Sequence, residues 1–98
     1  MTWADTRREL VLGVYPTSRG FGWVVLEGPF AVVEAGLHHA LKAKNAGCVR
    51  ALERIITRLN PSTLVLEAFD KRSSTRSARI RRLCLEFVNL AADRGLGL

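Results

Sequence analysis

The chain has 98 residues, 48% of them hydrophobic, with a formal net charge of +6 and a pI near 10.4. This length predicts one domain, residues 1–98, with a modest core and a polar N-terminal tail over residues 1–9. No apolar run approaches the roughly 20 residues that span a bilayer, and residues 1–9 lack the apolar segment of a secretory signal. We expect a cytoplasmic protein without membrane contact, and the positive charge favours nucleic acid as partner.

Three apolar segments near the start of the chain have the composition of strands. They cover residues 10–15, 20–27 and 31–37, and Gly28-Pro29 is a turn signal between the second and the third. Because the connections between them are short, the three strands are predicted to form an antiparallel meander.

The hydrophobic period then changes to that of a helix, from about Ala40 to Leu59, and Asn60-Pro61 predicts where that helix ends. A fourth strand follows over residues 64–68, and its apolar composition predicts that both of its faces are covered. The crossover from the third strand should be right-handed and place the fourth strand parallel to the first. Tyr15 and Glu67, which end these two strands, should then lie side by side.

A second helix is expected to begin at Ser73 or Ser74, either of which can cap it, and to end in a left-handed cap at Gly95. Residues 95–98 have the composition of the start of one more strand. The element order is therefore β-β-β-α-β-α.

Two cysteines and two histidines are residue types that bind metal ions, but their spacing does not favour a metal site. Cys48 and Cys84 lie within the predicted helices and are expected to be small buried side chains, because no zinc-ligand spacing surrounds them. His38 and His39 are adjacent on a strand, so their side chains should point to opposite faces of the sheet.

Two sequence segments carry a family resemblance. Residues 12–19 read Leu-Gly-Val-Tyr-Pro-Thr-Ser-Arg and are followed by Gly22-Trp23, and residues 65–69 read Val-Leu-Glu-Ala-Phe. Together with the element order, this pattern resembles the ribonuclease H-like superfamily, in its Holliday-junction resolvase (RuvC-like) branch, over roughly residues 10–95. The resemblance implies an α/β fold with a mixed sheet that lacks the usual fifth strand and last helix.

The chain departs from that family at Tyr15, which stands where the family has an aspartate between two Mg²⁺ ions. A phenol is neutral at pH 7 and is a poor ligand for Mg²⁺, which prefers anionic oxygen. Glu67 remains a candidate metal ligand and, with Asp70, a candidate catalytic carboxylate of a degenerate site. We expect no cofactor, with Mg²⁺ as the alternative, and we expect Tyr15→Asp to improve Mg²⁺ or Mn²⁺ binding if Glu67 lies nearby.

A basic cluster without acids lies between residues 71 and 82, and the guanidinium fork of arginine suits phosphate. Hydroxyls at residues 73–75 would add hydrogen bonds to phosphate, and Trp3 and Trp23 could stack on bases, although a tryptophan in a central strand is more often core. The candidate nucleic-acid-binding residues are Ser18, Arg19, Lys71, Arg72, Arg76, Arg79 and Arg82.

Three hypotheses about function remain open. The first is a nucleic-acid-binding domain that resembles the resolvases but is catalytically impaired, with DNA favoured over RNA. The second is a protein-interaction or dimerisation module, because unpaired backbone groups on residues 64–69 would accept a partner strand. The third is a residual Mg²⁺-dependent nuclease that uses Glu67 and Asp70. In each case we expect a homodimer, formed edge to edge or through the second helix and residues 95–98.

Overall fold

The computed structural model describes residues 9–28, 31–40, 44–67 and 76–98. One four-stranded sheet has the order β3-β2-β1-β4, with β1–β2 and β2–β3 antiparallel and β1–β4 parallel. The predicted meander and the parallel crossover are confirmed. The elements in chain order are β1 (Leu10–Pro16), β2 (Gly20–Glu27), β3 (Ala31–His39), α1 (Lys44–Leu59), β4 (Thr63–Val65) and α2 (Ala78–Asp93).

Both helices pack on the same face of the sheet, and the core lies between them and the strands. Along β1, Leu12 and Val14 are buried against the helices, whereas Tyr15 is exposed on the other face. The prediction that β4 is covered on both faces is wrong. Leu64 is fully buried in the core, but Val65 points to the uncovered face and is 52% exposed. An apolar strand therefore borders an open face here, which apolar composition alone does not reveal.

The predicted start of α1 falls at the limit of the described residues. Ala40 still belongs to the sheet, since its N–H donates to the Arg19 carbonyl oxygen at 2.9 Å, the described helix begins at Lys44, and residues 41–43 lie outside the described residues. The predicted end is confirmed. Asn60 has a positive φ of 49°, and its N–H donates to the Ile56 carbonyl oxygen at 2.8 Å.

The start of α2 was also predicted too early. Ser77 is the N-cap, with extended backbone, and its Oγ accepts a hydrogen bond from the Ile80 N–H at 3.2 Å. The predicted caps, Ser73 and Ser74, lie outside the described residues. Several serines in succession offer the same capping chemistry, and the periodicity of the following apolar residues does not select among them.

The predicted left-handed cap at the end of α2 is confirmed. Gly95 has a φ of 76°, and the Leu96 N–H donates to the Ala91 carbonyl oxygen at 2.9 Å, as in a Schellman motif. The chain then turns alongside β4, where Gly97 forms a parallel bridge with Thr63. The predicted start of a further strand is confirmed, and in the structure it consists of this single bridge.

That bridge corrects the prediction of a free edge along β4. The Leu64 N–H donates to the Gly97 carbonyl oxygen, and the Gly97 N–H donates to the Ser62 carbonyl oxygen, both at 2.9 Å. The edge is thus paired at Leu64 by the chain itself. Residues 68 and 69, the far end of the predicted edge, lie outside the described residues.

The remaining core predictions are confirmed. Cys48 and Cys84 are free and fully buried, and burial raises the pKa of both thiols. Trp23 packs against the core, and its ring lies over Gly36, where a Cβ would come within 2.9 Å of it. Neither helix of the described chain is long and apolar enough to cross a bilayer.

His38 and His39 lie on opposite faces of β3, as expected. His38 packs its ring 5.5 Å from that of Phe21, and loss of hydration on burial is the main reason that its pKa is lowered. His39 is exposed.

A substitution at Gly20 tests how closely β2 and β3 approach each other. A Cβ on Gly20 would lie 1.8 Å from the His38 carbonyl oxygen, so Gly20→Ala must move the backbone of β3. We expect a loss of about 1–3 kcal/mol in the free energy of unfolding, the usual range for overpacking. Urea unfolding measures this, with Gly97→Ala as the control, because a Cβ there meets nothing nearer than 3.8 Å. Equal stability of the two variants would contradict the close approach of β2 and β3.

Candidate nucleic-acid interface

The topology brings the C-terminal ends of three strands and the beginnings of both helices to one end of the sheet. We call this end, which runs across the strands rather than along β4, the basic edge. Strands β1, β3 and β4 run in the same direction, and α1 and α2 each begin after one of them. The basic edge therefore consists of the β1–β2 loop, the start of α1, the residues that lead into α2 and the first turns of α2. Its described cationic residues are Arg19, Lys44, Arg76, Arg79, Arg81 and Arg82.

The β1–β2 loop is a fixed turn rather than an open connection. The Thr17 N–H donates to the Gly20 carbonyl oxygen at 2.9 Å. The Thr17 hydroxyl oxygen accepts from the N–H groups of Gly20 at 3.0 Å and of Arg19 at 3.2 Å. Ser18 and Arg19 are consequently held on the outside of the turn, where both are exposed.

Two cations from the two helices converge on this turn. Lys44 Nζ donates to the Ser18 carbonyl oxygen at 3.1 Å, and an Arg79 guanidinium N–H donates to the same oxygen at 3.4 Å. Arg79 also exchanges hydrogen bonds with Asn45. It donates to Asn45 Oδ1 at 2.9 Å, and Asn45 Nδ2 donates to the Arg79 carbonyl oxygen at 3.2 Å. These contacts join the first turns of α1 and α2.

The partners of Lys44 and Arg79 in these contacts are neutral, so the contacts position the two cations without cancelling their charge. Neither α1 nor α2 has an acidic residue in its first turn. The free N–H groups of a helix start add partial positive charge at the same place. Over the described ranges, Glu67 is the one acid that the topology places at the basic edge, whereas Arg58 and Arg94, farther along their helices, pair with Glu34 and Glu53. The basic edge is therefore strongly positive.

Arg76 has a different environment from the other cations. One guanidinium nitrogen donates to Glu67 Oε1 at 2.7 Å, and another donates to the Pro16 carbonyl oxygen. The guanidinium carbon lies 5.1 Å from the centre of the Tyr15 ring, within cation–π range. Tyr15 and Glu67 line the same groove on the open face of the sheet, so they lie near each other as predicted, but the predicted strand over residues 64–68 is shorter, because β4 ends at Val65 and Glu67 follows it.

The donor set at this point does not suit Mg²⁺. A magnesium site needs several hard oxygen ligands, preferably anionic. In the part of the chain that the structure describes, no group of three His, Cys, Asp or Glu residues could hold a metal ion. Glu67 supplies one carboxylate, which faces a guanidinium, and Tyr15 supplies a neutral ring. Asp70, the second predicted carboxylate, lies outside the described residues.

The predicted binding residues divide into three groups. Ser18, Arg19, Arg79 and Arg82 lie at the basic edge, Arg76 is paired with Glu67, and Lys71 and Arg72 lie outside the described residues, as do the hydroxyls of residues 73–75. Sequence reasoning missed Lys44 and Asn45. The signal was available, because a helix that follows a strand parallel to β1 must begin at the same edge at which β1 ends.

The fold is that of the ribonuclease H-like proteins: a mixed sheet with a three-stranded meander, a parallel fourth strand and helices after the third and fourth strands. Among solved structures, RuvC from Thermus thermophilus matches 89% of this chain and 60% of its own chain, with a TM-score of 0.65 and 18% sequence identity. The chain thus has a RuvC-like fold and spans less than two thirds of the length of RuvC. No protein-family model and no curated protein matches it.

Proposed function

We propose that this chain is a nucleic-acid-binding domain related to the Holliday-junction resolvases, with catalysis impaired because Tyr15 stands where the family has a metal-bridging aspartate. The observation that carries the proposal is the basic edge, at which Arg19, Lys44, Arg79 and Arg82 face solvent or neutral partners. A polyanion is the ligand that such an edge attracts most strongly, since each neutralised phosphate releases counterions. The fold likeness to RuvC also supports the proposal.

Duplex DNA is the favoured ligand. Proteins that read single-stranded RNA present exposed aromatic rings on which bases stack. Among the described aromatic residues, Phe21 and Phe87 are fully buried and Trp23 packs over Gly36, so Tyr15 is the one exposed ring, and Arg76 lies over it. Recognition through the phosphate backbone fits this set of residues better than base stacking. We also propose a cytoplasmic location, because two free buried thiols are typical of a reducing compartment.

The test is fluorescence anisotropy with labelled duplex and four-way DNA at several salt concentrations. We expect binding of both at low salt, because the basic edge contacts phosphates. Absence of binding at low salt would contradict the proposal.

The open face of the sheet favours a second candidate function, self-association. Tyr15, Leu37 and Val65 are 61%, 73% and 52% exposed, and they line a groove of about 570 Å³. Of the described residues that line the groove, Glu67 is the one that carries a charge, and Arg76 neutralises it. We propose a second copy as the occupant: an identical apolar face offers matched chemistry without charge repulsion, and a two-fold axis makes such a contact self-complementary.

We expect a homodimer that Leu37→Glu converts to a monomer, because the substitution places a charge within the shared apolar face. Leu85→Glu on α2 is the matched control: Leu85 is 49% exposed but lies on the other side of the molecule. Light scattering at micromolar concentration measures the mass. A wild-type monomer, or a dimer that only Leu85→Glu dissociates, would show that the open face is not the interface.

A further inference from the structure

The place where the end of β1 meets the segment after β4 is filled by the Arg76 side chain. The Arg76 guanidinium touches the Glu67 carboxylate, the Pro16 carbonyl oxygen and the face of the Tyr15 ring. Two of these partners belong to β1, and the third follows β4. Arg76 itself lies two residues before α2, so the three contacts tie the beginning of α2 to the end of both parallel strands.

We infer that Arg76 is a built-in cation that neutralises Glu67 and makes this site independent of divalent metal ions. The inference deepens the proposed function and rests on it for what the site does. The tests of the inference measure metal binding and stability and do not depend on that function. The formal charges agree with it. Among the described residues at this point, Glu67 supplies the one carboxylate and the Arg76 guanidinium balances its charge, whereas two carboxylates would match the charge of one divalent cation.

Tyr15 and Arg76 are complementary in this arrangement. An aromatic ring offers a negative face to a cation, which a guanidinium covers well because it is planar and weakly hydrated. An aspartate at position 15 would instead offer a second carboxylate to the same guanidinium. The expectation from sequence that Tyr15→Asp improves Mg²⁺ or Mn²⁺ binding therefore changes: with Arg76 present, the new carboxylate would form a second ion pair with it.

The Arg76–Glu67 pair is more enclosed than an ordinary surface ion pair. The side chains of Arg76 and Glu67 are 21% and 34% exposed, against 53% and 39% for Arg58 and Glu34, which form the same kind of pair on the other face of the sheet. Exposed ion pairs are screened by water and salt and contribute little to stability. Arg58–Glu34 is consequently a matched control for Arg76–Glu67.

The test is Mn²⁺ binding, followed by the loss of the EPR signal of free Mn²⁺ on titration with protein. We expect no binding by the wild-type chain or by Tyr15→Asp, and binding of one ion by the double variant Tyr15→Asp/Arg76→Ala, which supplies two carboxylates without the guanidinium. Adding Glu67→Gln to the double variant should abolish that binding. Binding of Mn²⁺ by the wild-type chain that Glu67→Gln abolishes would overturn the inference, as would a folded double variant that binds none.

A thermal-unfolding cycle tests the same inference if the double variant fails to fold. We expect Arg76→Gln and Glu67→Gln each to lower the melting temperature, and the two together to lower it by clearly less than the sum of the two single shifts. The corresponding cycle with Arg58→Gln and Glu34→Gln should show additive, near-zero shifts. Additive shifts for the Arg76–Glu67 pair would overturn the inference. DNA binding by the same variants is measured in parallel. If the inference fails while DNA binding persists, the proposed function still stands.

Discussion

Substitution of Arg19 and Arg79 by alanine should weaken duplex DNA binding and halve its salt dependence. If Arg19, Lys44, Arg79 and Arg82 each neutralise one phosphate, the slope of log K against log salt is about −3.6 for the wild-type chain and about −1.8 for the double variant, at roughly 0.9 per contact. A fourfold rise in salt then lowers wild-type affinity by about 150-fold and variant affinity by about 12-fold. Anisotropy titrations along a salt series measure both slopes.

A charge-matched control separates binding at the basic edge from general attraction to a positive chain. Arg58→Ala with Arg94→Ala removes the same two charges, but from side chains that pair with Glu34 and Glu53 away from the basic edge. That variant should keep the wild-type slope. If the two double variants lose affinity equally, net charge rather than the basic edge governs binding.

The second prediction with a large expected effect is that the chain does not cleave DNA. We expect the chain to leave duplex and four-way DNA intact with Mg²⁺ or Mn²⁺ present, at the level of a protein-free sample. A pair of divalent ions accelerates phosphodiester cleavage by clamping the attacking and leaving oxygens and by neutralising the charge that develops between them. Tyr15 provides no anion to hold two ions together, and Glu67 already has a monovalent counter-ion in Arg76.

Gel electrophoresis of end-labelled DNA after long incubation is the measurement, and Glu67→Gln is the control for a contaminating nuclease. Metal-dependent cleavage by the wild-type chain that Glu67→Gln abolishes would contradict the assignment of an impaired site. Cleavage that persists unchanged in Glu67→Gln would come from a source other than this site.

The sequence predicted the fold because the strands and helices of this chain have different hydrophobic periods. The meander, the crossover and both helix ends at Asn60 and Gly95 agree with the structure, since turn residues and positive φ leave clear marks in a sequence. The starts of the helices were less predictable. The Ala40 N–H is held by a tertiary contact to Arg19, and several serines compete to cap α2.

The candidate site was predictable in its position but not in its contacts. Strand direction alone placed Tyr15 beside Glu67, because the ends of parallel strands share an edge. It could not show that Arg76, one of six basic residues between positions 71 and 82, would turn back onto this pair while Arg79 turned towards Asn45. Which partner each arginine contacts depends on the path of the chain into α2, and similar side chains in one cluster give no periodic signal for that path.

The position of bound DNA on the domain tests the central claim most directly. A two-dimensional ¹⁵N–¹H NMR titration with a short duplex reports every amide of a chain of this size. We predict that the largest shifts cluster at the β1–β2 loop around Ser18 and Arg19, at Lys44 and Asn45, and at residues 77–82, and that they disappear at high salt. Shifts centred instead on Arg50, Arg54 and Arg58 of α1, with the β1–β2 loop unmoved, would contradict the account.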